Sequence, residues 1–257
     1  MAYTFTGVFL VFSGLVLARN PVWEDDFTLF TTDVNISVNS AKSNCTAGGK
    51  MMEEALLQKD TLVKARMFMQ AEAWLKKAIE IYPGYNDALL LLGNLSWHYR
   101  NDYKKSAEYY FRILDKSPMH ATALGNLDLV LRGIKDIDFK IAAYEKMLSI
   151  SPCSYEAWYQ LGVAYGRYKS DLQKSQQYLE KALMINPSKV EAYKDLGVVY
   201  GMQKKYSEAA EVLKKALVLN ASDDEVYYNL GVTMAMQGKN SDANYYFNLA
   251  DSVKRAK

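Results

Sequence analysis

The sequence predicts an all-α fold: an α-α superhelix of about six helix–turn–helix repeats, preceded by one N-terminal transmembrane or signal-like helix. Three observations lead there. Pro83, Pro118, Pro152 and Pro187 are spaced by 35, 34 and 35 residues, a period typical of stacked supersecondary units. Gly162, Gly197 and Gly231 recur in one register inside helical patterns, where each glycine costs about 1 kcal/mol relative to alanine. Residues 2–18 form a long uncharged, mostly apolar run unlike anything later in the chain.

Alignment on the prolines exposes a frame. AWYQLGVAYGRYKSDLQKSQQYLEKALMINP (157–187) is followed by AYKDLGVVYGMQKKYSEAAEVLKKALVLNA (192–221) and VYYNLGVTMAMQGKNSDANYYFNLA (226–250). An aromatic residue precedes Leu-Gly, a large residue follows, and a second helix shows a small, large, small pattern. The carriers are Trp158, Leu161, Gly162, Tyr165, Ser175, Leu179, Ala182 and Pro187 in the first of these. They are Tyr193, Leu196, Gly197, Tyr200, Ala209, Leu213 and Ala216 in the next, with Ala221 in place of proline. The last has Tyr227, Leu230, Gly231, Met234, Ala243, Phe247 and Ala250. This frame resembles the tetratricopeptide repeat (TPR), a helix–turn–helix unit of about 34 residues.

Each glycine is expected where a neighbouring helix crosses too closely for a side chain, and Ala182, Ala216 and Ala250 are small for the same reason. The large residues between them, Trp158 and many tyrosines included, are expected to fill the shared core. Ser188 with Glu191, and Ser222 with Glu225, read as capping boxes. Earlier repeats are looser. One carries Leu92, Gly93, Ser106, Tyr110 and Pro118; the next is degenerate, with Asp128 in place of glycine and Lys140 in place of a small residue. Ala71, Leu75, Ala78 and Pro83 mark the second helix of the first repeat, lengthened by residues 51–67. The resulting organisation is a membrane or signal-like segment at 1–18, a helical juxtamembrane linker at 19–40 and an array at 41–257. Its repeats fall near 41–85, 86–120, 121–154, 155–189, 190–223 and 224–257.

The apolar run just reaches the length of a membrane span, about 17–25 residues, with Trp23 available as an interfacial anchor. A secretory signal would need a basic n-region, which is lacking, although Val16-Leu17-Ala18 would serve as a cleavage site. The following segment is similar to a junction in the transmembrane-and-TPR proteins related to the protein O-mannosyltransferases. The matching residues are Arg19, Asn20, Trp23, Asp25, Asp26, Leu29, Phe30, Asp33, Asn39, Ser40, Ala41, Lys42 and Gly48. The resemblance implies a last membrane helix running into an extracytoplasmic TPR array, periplasmic in a bacterium, without the family's catalytic membrane part. The alternative is a secreted or periplasmic TPR adaptor released by signal cleavage.

Half the residues are hydrophobic and the net charge is +2, so no basic excess points to nucleic acid. Cys45 and Cys153, over a hundred residues apart, make neither a disulfide framework nor a metal cluster. His98 and His120 are the only histidines. No HExxH or GxSxG motif occurs, and Gly238-Lys239-Asn240 is not a Walker loop. Glu24, Asp25 and Asp26 read as favourable charges at a helix start rather than a catalytic pair. Asn35, Asn44, Asn94 and Asn220 head N-glycosylation sequons, but Asn94 falls mid-helix. No enzyme activity, cofactor or metal is expected. The TPR resemblance implies a partner protein or peptide in a groove lined by the first helices. Positions 2, 5, 6, 9, 12 and 13 of each repeat face it. The groove candidates are Leu90, Asn94, Trp97, His98, Tyr159, Gln160, Arg167, Lys194, Asp195, Tyr228, Asn229 and Met236. A chaperone-type carboxylate clamp is not expected: Asn94 and Asn126 fit its two amide places, but Leu90, Glu156 and Gln160 occupy its three cationic ones. The chain therefore reads as a membrane-anchored, non-catalytic interaction scaffold.

Overall fold

The computed structural model describes residues 11–16 and 20–256. These are helices and turns, with no strand among them. They fall into two compact units, Met1–Val130 and Leu131–Lys257.

In the first unit residues 11–16 are helical, and a 3-10 turn at Asn20–Trp23 leads to α1 (Asp26–Ile36). Asp25 is the N-cap of α1; its carboxylate accepts from the Thr28 N–H at 2.7 Å, which accounts for the acidic triplet. Then come α2 (Ala41–Leu57), α3 (Thr61–Ile81), α4 (Asn86–His98) and α5 (Tyr103–Leu114), each packed on the one before. The unit ends within α6 (Ala121–Gly133). The extra residues of the first pair lengthen both its helices, 17 and 21 residues against 13 and 12 in α4 and α5.

The transmembrane reading of residues 2–18 is corrected. Among the described residues no helix is long and apolar enough to cross a membrane. Residues 1–10 and 17–19 lie outside the described residues. The single-pass, extracytoplasmic localisation rested on that span and falls with it.

The second unit continues with α7 (Ile137–Ile150), α8 (Tyr155–Arg167), α9 (Leu172–Ile185), α10 (Val190–Met202), α11 (Tyr206–Leu219), α12 (Asp224–Met236) and α13 (Asn240–Arg255). Consecutive helices pack together, and the first helices α8, α10 and α12 also touch in succession. Leu179, Ala192 and Leu196 form one buried cluster; Leu213, Ala216 and Leu230 form the next. The glycines sit where the second helix crosses the first. A methyl at Gly162, Gly197 or Gly231 would lie 2.7, 2.6 or 2.5 Å from Leu179, Leu213 or Phe247. Gly93 stands in the same relation to Tyr110, and Gly48 to Leu75, in the first unit. Ala182 and Ala216 are fully buried and Ala250 nearly so. Ser106 and Ser175 add a hydrogen bond at this crossing, donating to the carbonyls of Gly93 and Gly162 at 2.9 and 2.7 Å.

Two expectations about helix starts fail. Ser188 and Ser222 do not cap; their N–H groups donate to the Oδ1 of Asn186 and Asn220. The turn is held by the asparagine side chain. The α12 N-cap is Asp223, which accepts from Glu225 and Val226, while α10 begins at Lys189 with no side-chain cap. Trp158 is half-buried rather than core; its Nε1 donates to the Pro152 carbonyl at 2.8 Å. It tilts against Tyr178, which stacks on Tyr165. Lys140 is half-buried too, and its Nζ reaches the Arg132 carbonyl at 3.1 Å. Burial pulls its pKa down.

Candidate functional site

The face presented by α8, α10 and α12 in the second unit is recessed. Two adjoining hollows run along it. One, of about 310 Å³, is lined by Gly162, Val163, Gly166, Arg167, Asp195, Val198 and Met202 among others. The other, of about 350 Å³, is lined by Gly197, Val198, Gly201, Met202, Tyr228, Asn229, Val232 and Met236 among others. Val198 and Met202 belong to both, so the cleft is continuous. Its lining has a repeating composition: Val163, Val198 and Val232 recur at steps of 35 and 34 residues, and the first two are followed three residues on by Gly166 and Gly201. Exposure here is high for apolar residues: Val198 44%, Val232 40%, Met202 and Met236 59%, Tyr228 57%.

The polar candidates are arranged differently. The Tyr159 hydroxyl donates to Asp195 Oδ2 at 2.8 Å and Arg167 meets Asp195 Oδ1 at 3.0 Å. Burial, reinforced by the Asp195 charge, pushes the Tyr159 phenol upward. The same carboxylate raises Arg167. Lys194 bridges Asp223 at 3.1 Å and Glu225 at 2.7 Å. Burial would lower its pKa, but these two carboxylates overcome that and hold it up. Gln160 donates to Glu156 at 3.2 Å, and Arg132 also reaches Glu156. Tyr159, Gln160, Arg167, Lys194 and Asp195 are thus tied to neighbouring side chains, while Tyr228, Asn229 and Met236 line the open cleft. Val163, Val198, Met202 and Val232 are lining residues that the polar candidates passed over. Their signal was present in the repeat register, since positions 9 and 13 face the groove.

In the first unit, Leu90, Asn94, Trp97 and His98 share α4. Asn94 is held from inside: its Oδ1 accepts from Tyr110 at 2.7 Å and from Asn126 at 3.1 Å. Trp97 and His98 stack, with ring centroids 4.2 Å apart. Among the described residues no group of three or more His, Cys, Asp or Glu is placed to hold a metal ion.

Beyond the second hollow lies a polar one of about 440 Å³, lined by Asp224, Glu225, Tyr228, Asn229, Ala250, Asp251 and Lys254. It shares Tyr228 and Asn229 with the apolar cleft.

Known proteins share this fold. Residues 155–189 match the family described as tetratricopeptide repeat, and residues 202–238 match that described as TPR repeat. The chain carries TPR repeats. Solved structures similar to it include the crystal structure of MamA, at 22% identity and TM-score 0.57, covering 66% of this chain and 92% of that one. MamA 41-end from Desulfovibrio magneticus RS-1 is 17% identical with TM-score 0.57, covering 67% and 96%. YrrB, described as "a TPR protein with an unusual peptide-binding site", is 20% identical with TM-score 0.58, covering 70% and 92%. At these identities the likeness is one of fold: an all-α TPR-type helical repeat. No curated protein matches the chain.

Proposed function

We propose that the chain is a non-catalytic protein-interaction module that takes a peptide segment of a partner in the cleft lined by α8, α10 and α12. The observation carrying this reading is the column Val163, Val198 and Val232, of which Val198 and Val232 are exposed, lining the cleft with Gly166 and Gly201 and flanked by Met202 and Met236. Contiguous exposed apolar surface of this kind marks interaction sites, and methionines adapt to varied partner side chains. The peptide-binding site of YrrB, a TPR protein of similar fold, agrees with it. The likeness of residues 19–48 to the O-mannosyltransferase-related junction rests on those residues alone.

Selection of displayed random peptides against the full chain tests the reading, with Val198→Asp/Val232→Asp as the counter-target. Enriched peptides are expected to lose at least about tenfold in affinity for the variant, at a thermal midpoint close to that of the parent chain. Enrichment only of peptides that bind both chains equally, or of none, would remove the cleft as the site.

A further inference from the structure

We propose that Asn220 is an acceptor for N-linked glycosylation in the folded chain, and that the fold withholds the other three sequons. The reacting atom of an Asn-x-Ser/Thr site is the amide Nδ2, the site belongs on a surface turn, and its middle residue is not proline. Asn35, Asn44, Asn94 and Asn220 all meet the sequence rule, and the structure separates them. Asn44 is 2% exposed, and its Nδ2 donates to the carbonyls of Val38 and Ser40 at 3.0 and 2.9 Å. Asn94 is half-buried within α4, its Oδ1 holding Tyr110 and Asn126, and the serine of its sequon, Ser96, is buried. Asn35 is exposed but belongs to the last turn of α1, where its Nδ2 donates to the Thr31 carbonyl at 2.9 Å.

Asn220 lies in the turn between α11 and α12, exposed together with Ala221 and Ser222. Its Oδ1 accepts the Ser222 N–H at 3.0 Å, which folds the side chain over its own sequon. Among the described residues nothing hydrogen-bonds to its Nδ2 or to the Ser222 hydroxyl. The preceding repeat shows what sets this turn apart. Asn186 has nearly the same backbone, φ −136° and ψ 94° against −146° and 94°, and its Oδ1 accepts the Ser188 N–H in the same way. There Pro187 bars the site, and the Ser188 hydroxyl is committed to Asn186 Oδ1 at 2.7 Å. Ala221 stands where the repeat frame has proline, and that replacement opens the sequon. Residues 220–222 line neither hollow of the cleft, so the site is separate from the peptide site. In the transfer, Nδ2 forms a bond to the anomeric carbon of a sugar carried on a lipid pyrophosphate. The bond from that carbon to the pyrophosphate oxygen breaks, the pyrophosphate leaves with the electron pair, and Nδ2 gives up one proton.

The test uses the full chain, made in a host that adds no sugar and purified folded. It is incubated with a single-subunit oligosaccharyltransferase and an oligosaccharide on its lipid pyrophosphate carrier, and each site is read by peptide mass spectrometry. Synthetic peptides spanning the four sequons are run alongside. The folded chain is expected to carry sugar at Asn220 alone, whereas the peptides of Asn35, Asn44 and Asn94, released from the fold, are modified as the Asn220 peptide is. Ser222→Ala and Ala221→Pro should each abolish the modification, and Ala221→Pro should do so without lowering the thermal midpoint, since the turn at Pro187 has the same backbone. A folded chain without sugar at Asn220, or with as much at Asn35, Asn44 or Asn94, overturns the proposal. If the Asn220 peptide is the only one modified, local sequence rather than the fold makes the choice, and the withholding of the other three falls.

Discussion

An alanine methyl at Gly197 would lie 2.6 Å from Cγ of Leu213, a side chain with no exposed surface. Leu213 sits in a closed cluster with Ala216, Val226 and Leu230, so it has little room to withdraw. Overpacking of this kind costs about 1–3 kcal/mol, and the gain in helix propensity returns about 1 kcal/mol at most. Gly197→Ala is expected to be destabilising by about 1–2 kcal/mol in urea unfolding of the full chain.

Gly201, one turn later in the same helix, should respond in the opposite sense. Nothing stands within 4 Å of its missing Cβ. Gly201→Ala should leave stability unchanged or raise it by up to about 1 kcal/mol, less than in mid-helix because α10 ends at Met202. Denaturant midpoints of the pair measured side by side check this; destabilisation by Gly201→Ala matching that of Gly197→Ala would show that the floor of the cleft is packed.

The two cysteines should be distinguishable by reagent. Cys153 is exposed and Cys45 buried. Burial, with the Asp87 charge adding to it, pushes the Cys45 thiol up to about 11, although a hydrogen bond with Tyr85 works the other way. At pH 8 about a thousandth of it is thiolate, and the thiolate is the nucleophile. A disulfide reagent should modify one thiol per native chain and the second only in denaturant. Cys153→Ser should abolish the native-state reaction.

The period and the glycine register were legible because they report a packing geometry that recurs from pair to pair, as Gly93 with Tyr110 and Gly231 with Phe247 show. Helix starts were less so. A Ser-x-x-Glu pattern at Ser188 and Ser222 is local, and a neighbouring asparagine offered the turn a competing acceptor. The cleft was half-legible. The repeat register placed its walls, but most of the polar side chains at those positions are held by partners on adjacent helices, which no single sequence reveals. Tyrosines divide likewise: Tyr110 and Tyr144 are fully buried, Tyr168 and Tyr228 exposed, a split that depends on helix face rather than residue type.

Glu72 predicts an acid-dependent contribution to stability. It meets Lys76 at 2.7 Å and Arg100 at 2.8 Å, tying α3 to the end of α4. Burial alone would raise its carboxyl, but the Lys76 and Arg100 hydrogen bonds overcome that and hold it below its usual 4.5. A lowered folded-state value means the stabilisation is complete above about pH 4.5 and is lost as pH falls through the folded value. The partners are half-exposed, so screening keeps the contribution near 1 kcal/mol or below. The stability deficit of Glu72→Gln should be flat between about pH 7 and 5 and shrink below about 4.5 in denaturant titrations.

Asp195 joins α8 to α10 through two unequal partners. Tyr159 brings a half-buried hydroxyl whose phenol is raised by burial and by the Asp195 charge. Arg167 reaches the same carboxylate from a side chain 65% exposed, where solvent and salt screen it. A hydrogen bond to a charged group, lost on one side, costs about 1.5–3 kcal/mol when desolvated, whereas an exposed ion pair gives about 0.2–1 kcal/mol. Tyr159→Phe should therefore cost roughly two- to threefold more stability than Arg167→Ala, and added salt should narrow only the arginine effect. The order also bears on the cleft, because Arg167 and Asp195 line its α8–α10 end. If Arg167→Ala proves the costlier change, the carboxylate is held chiefly by its ion pair. A ligand that drew Arg167 away would then have to break that contact first.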